Sequence, residues 1–294
     1  MTDGVGGTRS AVAADGHRLL VGIATVLLLV TAVAVRSRLI VGFLILAAVF
    51  IPAERLFTLR PQRVFRRFWA SDVVHFWVNN LLTTAGVLIV LFPVVAVFRL
   101  GALHSFHAWV AGQPLYLQLP EALAVAELCS YWSHRASHRV PLLWRFHQVY
   151  HSIREMDWLA AGRLHPLDQA FRQLCIAFPL LVLGFSKGSF GGVLVFFAVQ
   201  AIFIHANVRF TFGPLRWLIA TPEFHHWHHS NVPEAYNTNF SGELPCLDAL
   251  FGTLHLPKKS WPERYGIDRP TPPGYLAQLA MPFTASDQRS SIVT

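Results

Sequence analysis

Histidine is concentrated in three short stretches of an otherwise apolar sequence. The stretch TPEFHHWHHS, residues 221–230, contains His225, His226, His228 and His229. On a helix, His225, His228 and His229 stand at positions i, i+3 and i+4 and share one face, whereas His226 points about 100 degrees away. Imidazole nitrogens suit Zn, Cu, Fe and Ni, while Mg²⁺ and Ca²⁺ require oxygen ligands. The stretch therefore predicts three ligands of a transition metal.

Two other stretches carry histidine pairs at helical spacing. SHRASHRV contains His134 and His138, and HQVYHS contains His147 and His151. Residues four apart on a helix lie on one face with Cβ atoms about 6 Å apart, so both rings of a pair reach one ion. A single pair is weak evidence, because surface and core histidines produce the same spacing by chance.

The three stretches together are stronger evidence than any one of them. Burying so many rings at a membrane face without a cation costs desolvation free energy that no bond offsets. Together they offer more rings than one ion can hold, so the sequence predicts two metal ions.

The composition indicates which elements position these histidines. Of the 294 residues, 53% are hydrophobic and only 14% are charged, which is typical of an integral membrane protein. A helix needs about 20 apolar residues to cross a bilayer. The sequence therefore predicts an all-α membrane bundle, in which the histidines form a polar cap at the ends of the spans. The predicted spans are Leu19–Val35, Leu39–Ala53, Leu81–Phe98 and Phe190–Ala206.

The basic residues predict the orientation of the bundle. Threading the spans places residues 1–18, 54–80, 134–172 and 207–294 on one side, with 20 of the 24 Lys and Arg residues. The positive-inside rule makes this histidine-rich side cytoplasmic. The net charge of +8 surrounds apolar spans, which favours contact with anionic lipid rather than nucleic acid. Residues 54–80, where arginines alternate with aromatic residues, are expected to lie along the membrane surface.

The histidine pattern resembles that of the fatty acid hydroxylase and sterol desaturase superfamily. The family pattern is H-x3-H, then H-x2-H-H, then a distant H-x2-H-H, among membrane spans, and the chain matches it except at one histidine of the second motif. WRFHQVYHS, AGRLHPLD and LPCLDALFGT also resemble stretches of that family. The resemblance covers roughly residues 118–256 and implies a catalytic domain with two irons on the cytoplasmic side. Such enzymes use O2 and two electrons to hydroxylate, desaturate or cleave lipids.

The resemblance also implies the metal ligands and one departure from the family pattern. Tyr150 occupies the middle histidine of the second motif, so it either binds metal, is replaced by another histidine, or weakens the second site. His205, in AIFIHANVR, is the best additional ligand. His165, bonded to Asp168, and His226 are candidate ligands or supporting residues. The implied ligands are His134, His138, His147, His151, His205, His225, His228 and His229.

The remaining histidines and the cysteines receive no role in the site. His104 and His107 are expected at the membrane interface, and His17, His75 and His255 at the surface or interface. The cysteines are Cys129, Cys175 and Cys246, which are too far apart in sequence for a disulfide framework or thiolate site and are expected to be buried. Trp132, Trp144, Trp158 and Trp227 either wall a substrate path or anchor the interface.

The proposed chemistry requires iron and an external electron source. Attack on an unactivated C–H bond needs a redox-active metal, although zinc is a conceivable substitute in the site. The sequence contains no haem motif, dinucleotide fingerprint or cysteine cluster, so a separate ferredoxin or cytochrome is expected to donate electrons. The alternatives are a relative inactivated at Tyr150, a membrane zinc hydrolase and a metal transporter.

The motifs divide the chain into four segments. Residues 1–17 are expected to be a flexible tail, 18–117 transmembrane and interfacial helices, and 118–256 the catalytic domain. Residues 257–294 are expected to be a C-terminal extension that ends in a disordered tail.

Overall fold

The fold is described from a computed structural model that covers residues 38–99, 103–258 and 260–284, together with residues 23, 26, 27 and 30. Within this part of the chain the secondary structure is helical, apart from isolated bridges at Thr58–Val208 and Ser230–Tyr265. The predicted all-α class is therefore confirmed. The helices are α1 Arg38–Leu56, α2 Trp69–Val74, α3 Asn80–Arg99, α4 His104–Gly112, α5 Leu115–Arg139, α6 Pro141–His151, α7 Pro166–Val182, α8 Lys187–His205, α9 Pro222–His228, α10 Cys246–Leu250 and α11 Tyr275–Thr284.

The chain forms two compact units. One comprises the described residues up to Val64 together with Ala206–Arg209, and the other comprises Phe65–His205 and the described residues from Phe210 onward. In the first unit, a Glu54 carboxylate oxygen accepts a hydrogen bond from the Asn207 backbone N–H at 3.0 Å. The predicted span Leu39–Ala53 lies within α1. The predicted tail and most of Leu19–Val35 lie outside the described residues.

Two described segments are long and apolar enough to cross a membrane. They are Trp69–Pro93 and Lys187–His205, of which only 22% and 39% are buried within the protein. The second matches the predicted span Phe190–Ala206. The first begins earlier than the predicted span Leu81–Phe98, because a five-residue π-helical turn, His75–Asn79, joins α2 to α3 without a break.

Helix α5 packs against α7 and α8 and carries the first histidine pair at its end. Ala122 and Ala126 are completely buried against Ile176 and Leu180 of α7 and Val193 of α8. Small side chains allow helix backbones to approach closely, which is a frequent feature of helix contacts in membranes. The packing therefore fixes α5, and with it the position of its histidines.

Proline at the first helical position sets where three of the site helices begin. Pro141, Pro166 and Pro222 start α6, α7 and α9. Proline suits this position because its missing N–H would have no partner within the helix and its φ angle is already helical. At α9, the Thr221 hydroxyl also accepts a hydrogen bond from the Phe224 N–H at 3.3 Å. These signals fix the register of the histidines that follow.

A buried ionic network joins the start of α2 to the segment before α7. Arg66 donates two hydrogen bonds to Asp157, at 2.6 and 2.7 Å, and Arg163 donates two to Asp72, at 2.6 and 2.8 Å. Arg66 also lies 2.7 Å from Asp72, which links the two pairs. Residues 54–80 were expected to lie on the surface, and for Arg66 and Asp72 this is wrong because each charge has a buried partner.

The predicted C-terminal extension contains a helix, α11, that packs on α2 and the π-helical turn after it. The side chain of Gln278, in α11, is buried and accepts hydrogen bonds from His75 and Ser71. Tyr275 donates to Asn79 at 2.9 Å. The predicted surface position of His75 is therefore wrong, since its ring is fully buried between α11 and the Leu164 carbonyl. Residues 275–284 are likewise not part of a disordered tail.

Other surface predictions have mixed outcomes. His104 is exposed as expected, whereas His107 is half-buried and donates to the Val182 carbonyl at 2.9 Å. His255 is half-buried, with its ring centroid 4.9 Å from that of Trp227. Cys246 is exposed and the other two cysteines are only half-buried, so the prediction of buried thiols is wrong.

Candidate metal centre

Five histidines from three helices form the first group of the site. Their ligand nitrogens all lie within 4.8 Å of one another, and all five side chains are buried. Two come from α5, two from α6 and one from α9. The Nε2 atoms of His134 and His147 are 3.1 Å apart. This first histidine group consists of His134, His138, His147, His151 and His228.

Three further histidines form the second group. His205 lies at the end of α8, and His225 and His229 lie one turn apart on and just after α9. The Nε2 atom of His225 is 3.3 Å from that of His205 and 3.1 Å from that of His229. The structure thus brings together all eight histidines that the sequence suggested as ligands, and it divides them into two groups.

Hydrogen bonds on the outer nitrogens fix the orientation of four rings. The Nδ1–H groups of His134 and His228 donate to the Phe240 and Thr238 carbonyls at 2.7 and 2.8 Å. His147 Nδ1 lies 3.1 Å from an Asp168 oxygen, and His205 Nδ1 lies 2.6 Å from the Ala201 carbonyl. Because Nδ1 carries the proton, the Nε2 lone pair remains free to bind metal.

Glu127 fixes the loop that carries the Phe240 carbonyl. Its buried carboxylate accepts backbone hydrogen bonds from residues 242–244, each at 3.1 Å. Two turns along α5 from Glu127 stands His134, which contacts the same loop. The loop is therefore attached to α5 at both points, and this holds the His134 ring in position.

Several ring nitrogens are buried without a hydrogen-bond partner in the described part of the chain. They include both nitrogens of His138 and the Nε2 atoms of His151 and His228. A buried polar atom with no partner costs about 1–3 kcal/mol. A metal ion bound by one nitrogen of each ring would offset most of this cost, so the residues fit the metal centre that the sequence predicts.

Burial favours the neutral form of several rings of the site. Burial is the main cause that lowers the pKa of His228 to about 3. Neighbouring imidazoles add to the effect of burial on the pKa of five further rings. Neutral imidazole binds a metal without first losing a proton, so the centre is prepared to take up ions. The other histidines whose pKa values lie well below the ordinary value are His134, His138, His151, His225 and His229.

Tyr150 lies in the second group. Its hydroxyl is 2.8 Å from His225 Nε2, and its ring centroid is 4.3 Å from that of His229. Burial raises the pKa of Tyr150, while the Arg172 guanidinium opposes this rise. Arg172 Cζ is 5.9 Å from the Tyr150 ring centroid. Arg172 belongs to none of the histidine motifs, and its position near the Tyr150 ring is what identifies it.

The three remaining candidates lie around the groups rather than within them. Asp168 contacts His147, as described, so it supports a ligand ring. His165 Nδ1 accepts a hydrogen bond from the Leu167 N–H at 3.1 Å and so caps α7, instead of binding Asp168. His226 Nδ1 lies 2.7 Å from the Tyr265 hydroxyl, on the side of α9 away from the groups.

Aromatic side chains cover the first group. Trp144 is buried, with its ring centroid 5.2 Å from that of His138, and Phe240 lies 5.1 Å from the same ring. Trp158 and Trp227 are also buried but Trp132 is 47% exposed. Of the four tryptophans considered, Trp144 therefore has the contacts expected of a wall of the site.

Comparison with known proteins agrees with this site. The fatty acid hydroxylase family model matches residues 119–253. Ornithine lipid hydroxylase OlsE of Rhizobium tropici is 32% identical over 82% of this chain and 72% of its own length. Alkylglycerol monooxygenase of Xenopus tropicalis is 29% identical over 48% of the chain, and very-long-chain aldehyde decarbonylase CER1 of Arabidopsis thaliana 28% over 44%. The chain covers only 30% and 22% of the lengths of these last two proteins. No solved structure matches the chain.

The comparisons identify the chain as an oxidoreductase, and its two histidine groups could hold metal ions. The chain belongs to the fatty acid hydroxylase family. With its two apolar segments, this membership indicates a membrane protein.

Proposed function

We propose that the protein is a membrane di-iron oxygenase that hydroxylates a C–H bond of a lipid. The main support is the presence of two adjacent groups of buried imidazole nitrogens, several of which have no partner among the described residues. The overall reaction consumes the substrate RH, O2, two electrons and two protons, and it yields ROH and water. Hydroxylation is preferred to desaturation because the relatives compared include a lipid hydroxylase and a monooxygenase.

Different residues of the chain have different roles in the proposed reaction. The two histidine groups would hold the irons, which supply the redox chemistry that activates O2. The outer hydrogen bonds of the rings keep the nitrogen lone pairs directed inward. Trp144 and Phe240 exclude water from the first group, which limits wasteful reduction of O2.

A lipid substrate is favoured by the surroundings of the site. The apolar segment Lys187–His205 ends in a ligand of the second group, so an acyl chain in the bilayer would lie close to the centre. Ornithine lipid is the first substrate that we propose to test, because a related hydroxylase acts on it. We further propose a cytoplasmic site and a separate electron donor, because basic residues prevail on the histidine-rich side.

Metal analysis and isotope labelling test the proposed function. The purified protein should contain about two irons per chain, one for each histidine group. With ornithine lipid, a reductase system and ¹⁸O2, one ¹⁸O atom should enter the product. His228→Ala should lose iron and turnover, while the matched variant His104→Ala, at an exposed ring outside both groups, should keep both.

Three results would contradict the proposal, each in a different way. Stoichiometric zinc with lipid hydrolysis would indicate a hydrolase. Bound iron without oxygen incorporation into ornithine lipid or other lipids tested would indicate an inactive relative. A protein that binds no metal would exclude both the di-iron oxygenase and the zinc hydrolase.

A further inference from the structure

We infer that Tyr150 is the fourth ligand of the second histidine group and that Arg172 is a positioning residue that holds the tyrosine oxygen there. This inference rests on the proposed function, because it assigns the ligands of one of the two irons. It makes the two ions chemically different, since one would be bound only by nitrogen and the other by nitrogen and oxygen.

The first argument comes from the contacts of one nitrogen. His225 Nε2 lies 2.8 Å from the Tyr150 hydroxyl, 3.1 Å from His229 Nε2 and 3.3 Å from His205 Nε2. A ring nitrogen carries either one proton or one lone pair, so it forms only one good hydrogen bond. Hydrogen bonding therefore does not account for three such neighbours.

A bound ion accounts for this arrangement. Ligand atoms about 2.1 Å from an ion, at angles between 90° and the tetrahedral value, lie roughly 3.0–3.4 Å apart. The separations of His225 Nε2 from His205 and His229 fall in this range, and that from Tyr150 is slightly shorter. Three donor atoms thus surround His225 Nε2 at separations close to those between ligands of one ion.

The second argument comes from the way α6 and α9 share the two groups. On α6, His147 and His151 serve the first group, while Tyr150, at the i+3 position, contacts the second. On α9 the assignment is reversed. His225 and His229 serve the second group and His228, again at i+3, serves the first. Tyr150 on α6 therefore occupies the position that corresponds to His228 on α9.

Arg172 accounts for how a buried tyrosine keeps its oxygen at this point. Tyr150 is only 4% exposed, and Arg172 Cζ lies 5.9 Å from its ring centroid. Burial disfavours negative charge on the tyrosine oxygen, and the nearby guanidinium opposes this effect. Binding of iron would replace the Tyr150 O–H bond with an Fe–O bond, and the proton would leave to solvent. Tyrosine is a known ligand of protein-bound iron, as in the haem of catalase.

Electronic spectroscopy tests the ligand assignment without measuring turnover. Phenolate bound to Fe(III) gives a visible charge-transfer band, whose tyrosine vibrations appear in resonance Raman spectra. The oxidised, iron-loaded protein should have this band, and Tyr150→Phe should lose it and bind the second iron at least ten-fold more weakly. Tyr150→His should retain the iron but lack the band. Tyr131→Phe is the matched control, because Tyr131 is buried and hydrogen-bonded to Thr253, outside both groups.

The results separate this inference from the proposed function. Two bound irons without a phenolate band, or a band that survives in Tyr150→Phe, would overturn the ligand assignment alone. A wild-type protein that binds no iron would overturn the proposed function and this inference together.

Substitution of Arg172 tests the positioning role. Arg172→Gln should shift the charge-transfer band or lower retention of the second iron, and Arg172→Lys should restore part of the wild-type behaviour because it keeps the charge. An Arg172→Gln protein with unchanged band energy and iron retention would show that Arg172 does not position the oxygen.

Discussion

At the scale of single residues, the hydrogen bonds behind the rings matter as much as the rings themselves. Four of the eight grouped histidines have their outer nitrogens held by carbonyl or carboxylate oxygens. Only one of these partners, Asp168, is a side chain. A side chain is open to substitution, so Asp168 offers a direct test of whether ring orientation controls metal binding.

Replacement of Asp168 should weaken metal binding without removing a ligand. Asp168→Ala leaves His147 Nδ1 without its partner, and loss of such a contact typically lowers metal affinity about 10- to 100-fold. Asp168→Asn keeps an oxygen acceptor and should lose much less. Competition with a chelator, followed by iron analysis, measures both effects. Equal iron retention in the Ala variant and the wild type would contradict this role.

At the scale of elements, the turn between α7 and α8 determines how α8 is placed, and His205 is the last residue of α8. Gly184 has a φ angle of +79°, and a Cβ atom there would lie 2.5 Å from His107 Cδ2. His107 in turn donates to the Val182 carbonyl near the end of α7. The turn therefore requires glycine for two reasons, its backbone conformation and the closeness of the imidazole.

Gly184→Ala should destabilise the protein, while Gly191→Ala should not. The first substitution combines a left-handed alanine with a clash, at a cost of roughly 2 kcal/mol or more. Gly191 lies inside α8 with no atom within 4 Å of an added Cβ, and alanine favours a helix by up to about 1 kcal/mol. Thermal unfolding in detergent compares the two. An unchanged melting temperature for Gly184→Ala would contradict this account of the turn.

At the scale of the whole molecule, local patterns in the sequence predicted more than long-range contacts. Histidines four apart fall on helices because i, i+4 spacing is a property of one helix. The pairing of Arg66 with Asp157, and the burial of His75 under Gln278, join residues far apart in sequence. No local pattern indicates such partners, and for this reason Arg66 and His75 were expected at the surface.

The division of the ligands into two groups also required the fold. Sequence spacing indicated two ions but did not assign His205 or Tyr150 to either, because their neighbours come from other helices. The packing of α5 against α7 and α8 brings those helices together. The composition of each group is therefore a property of the tertiary structure, whereas most of the candidate ligands follow from the sequence.

The proposed function depends on the binding of two ions, one in each histidine group. Anomalous diffraction at the iron edge, from crystals of the iron-loaded protein, would locate these ions. We expect two anomalous peaks, one among the Nε2 atoms of the first group and one among His205, His225, His229 and Tyr150. A single peak, or peaks away from these nitrogens, would contradict this expectation.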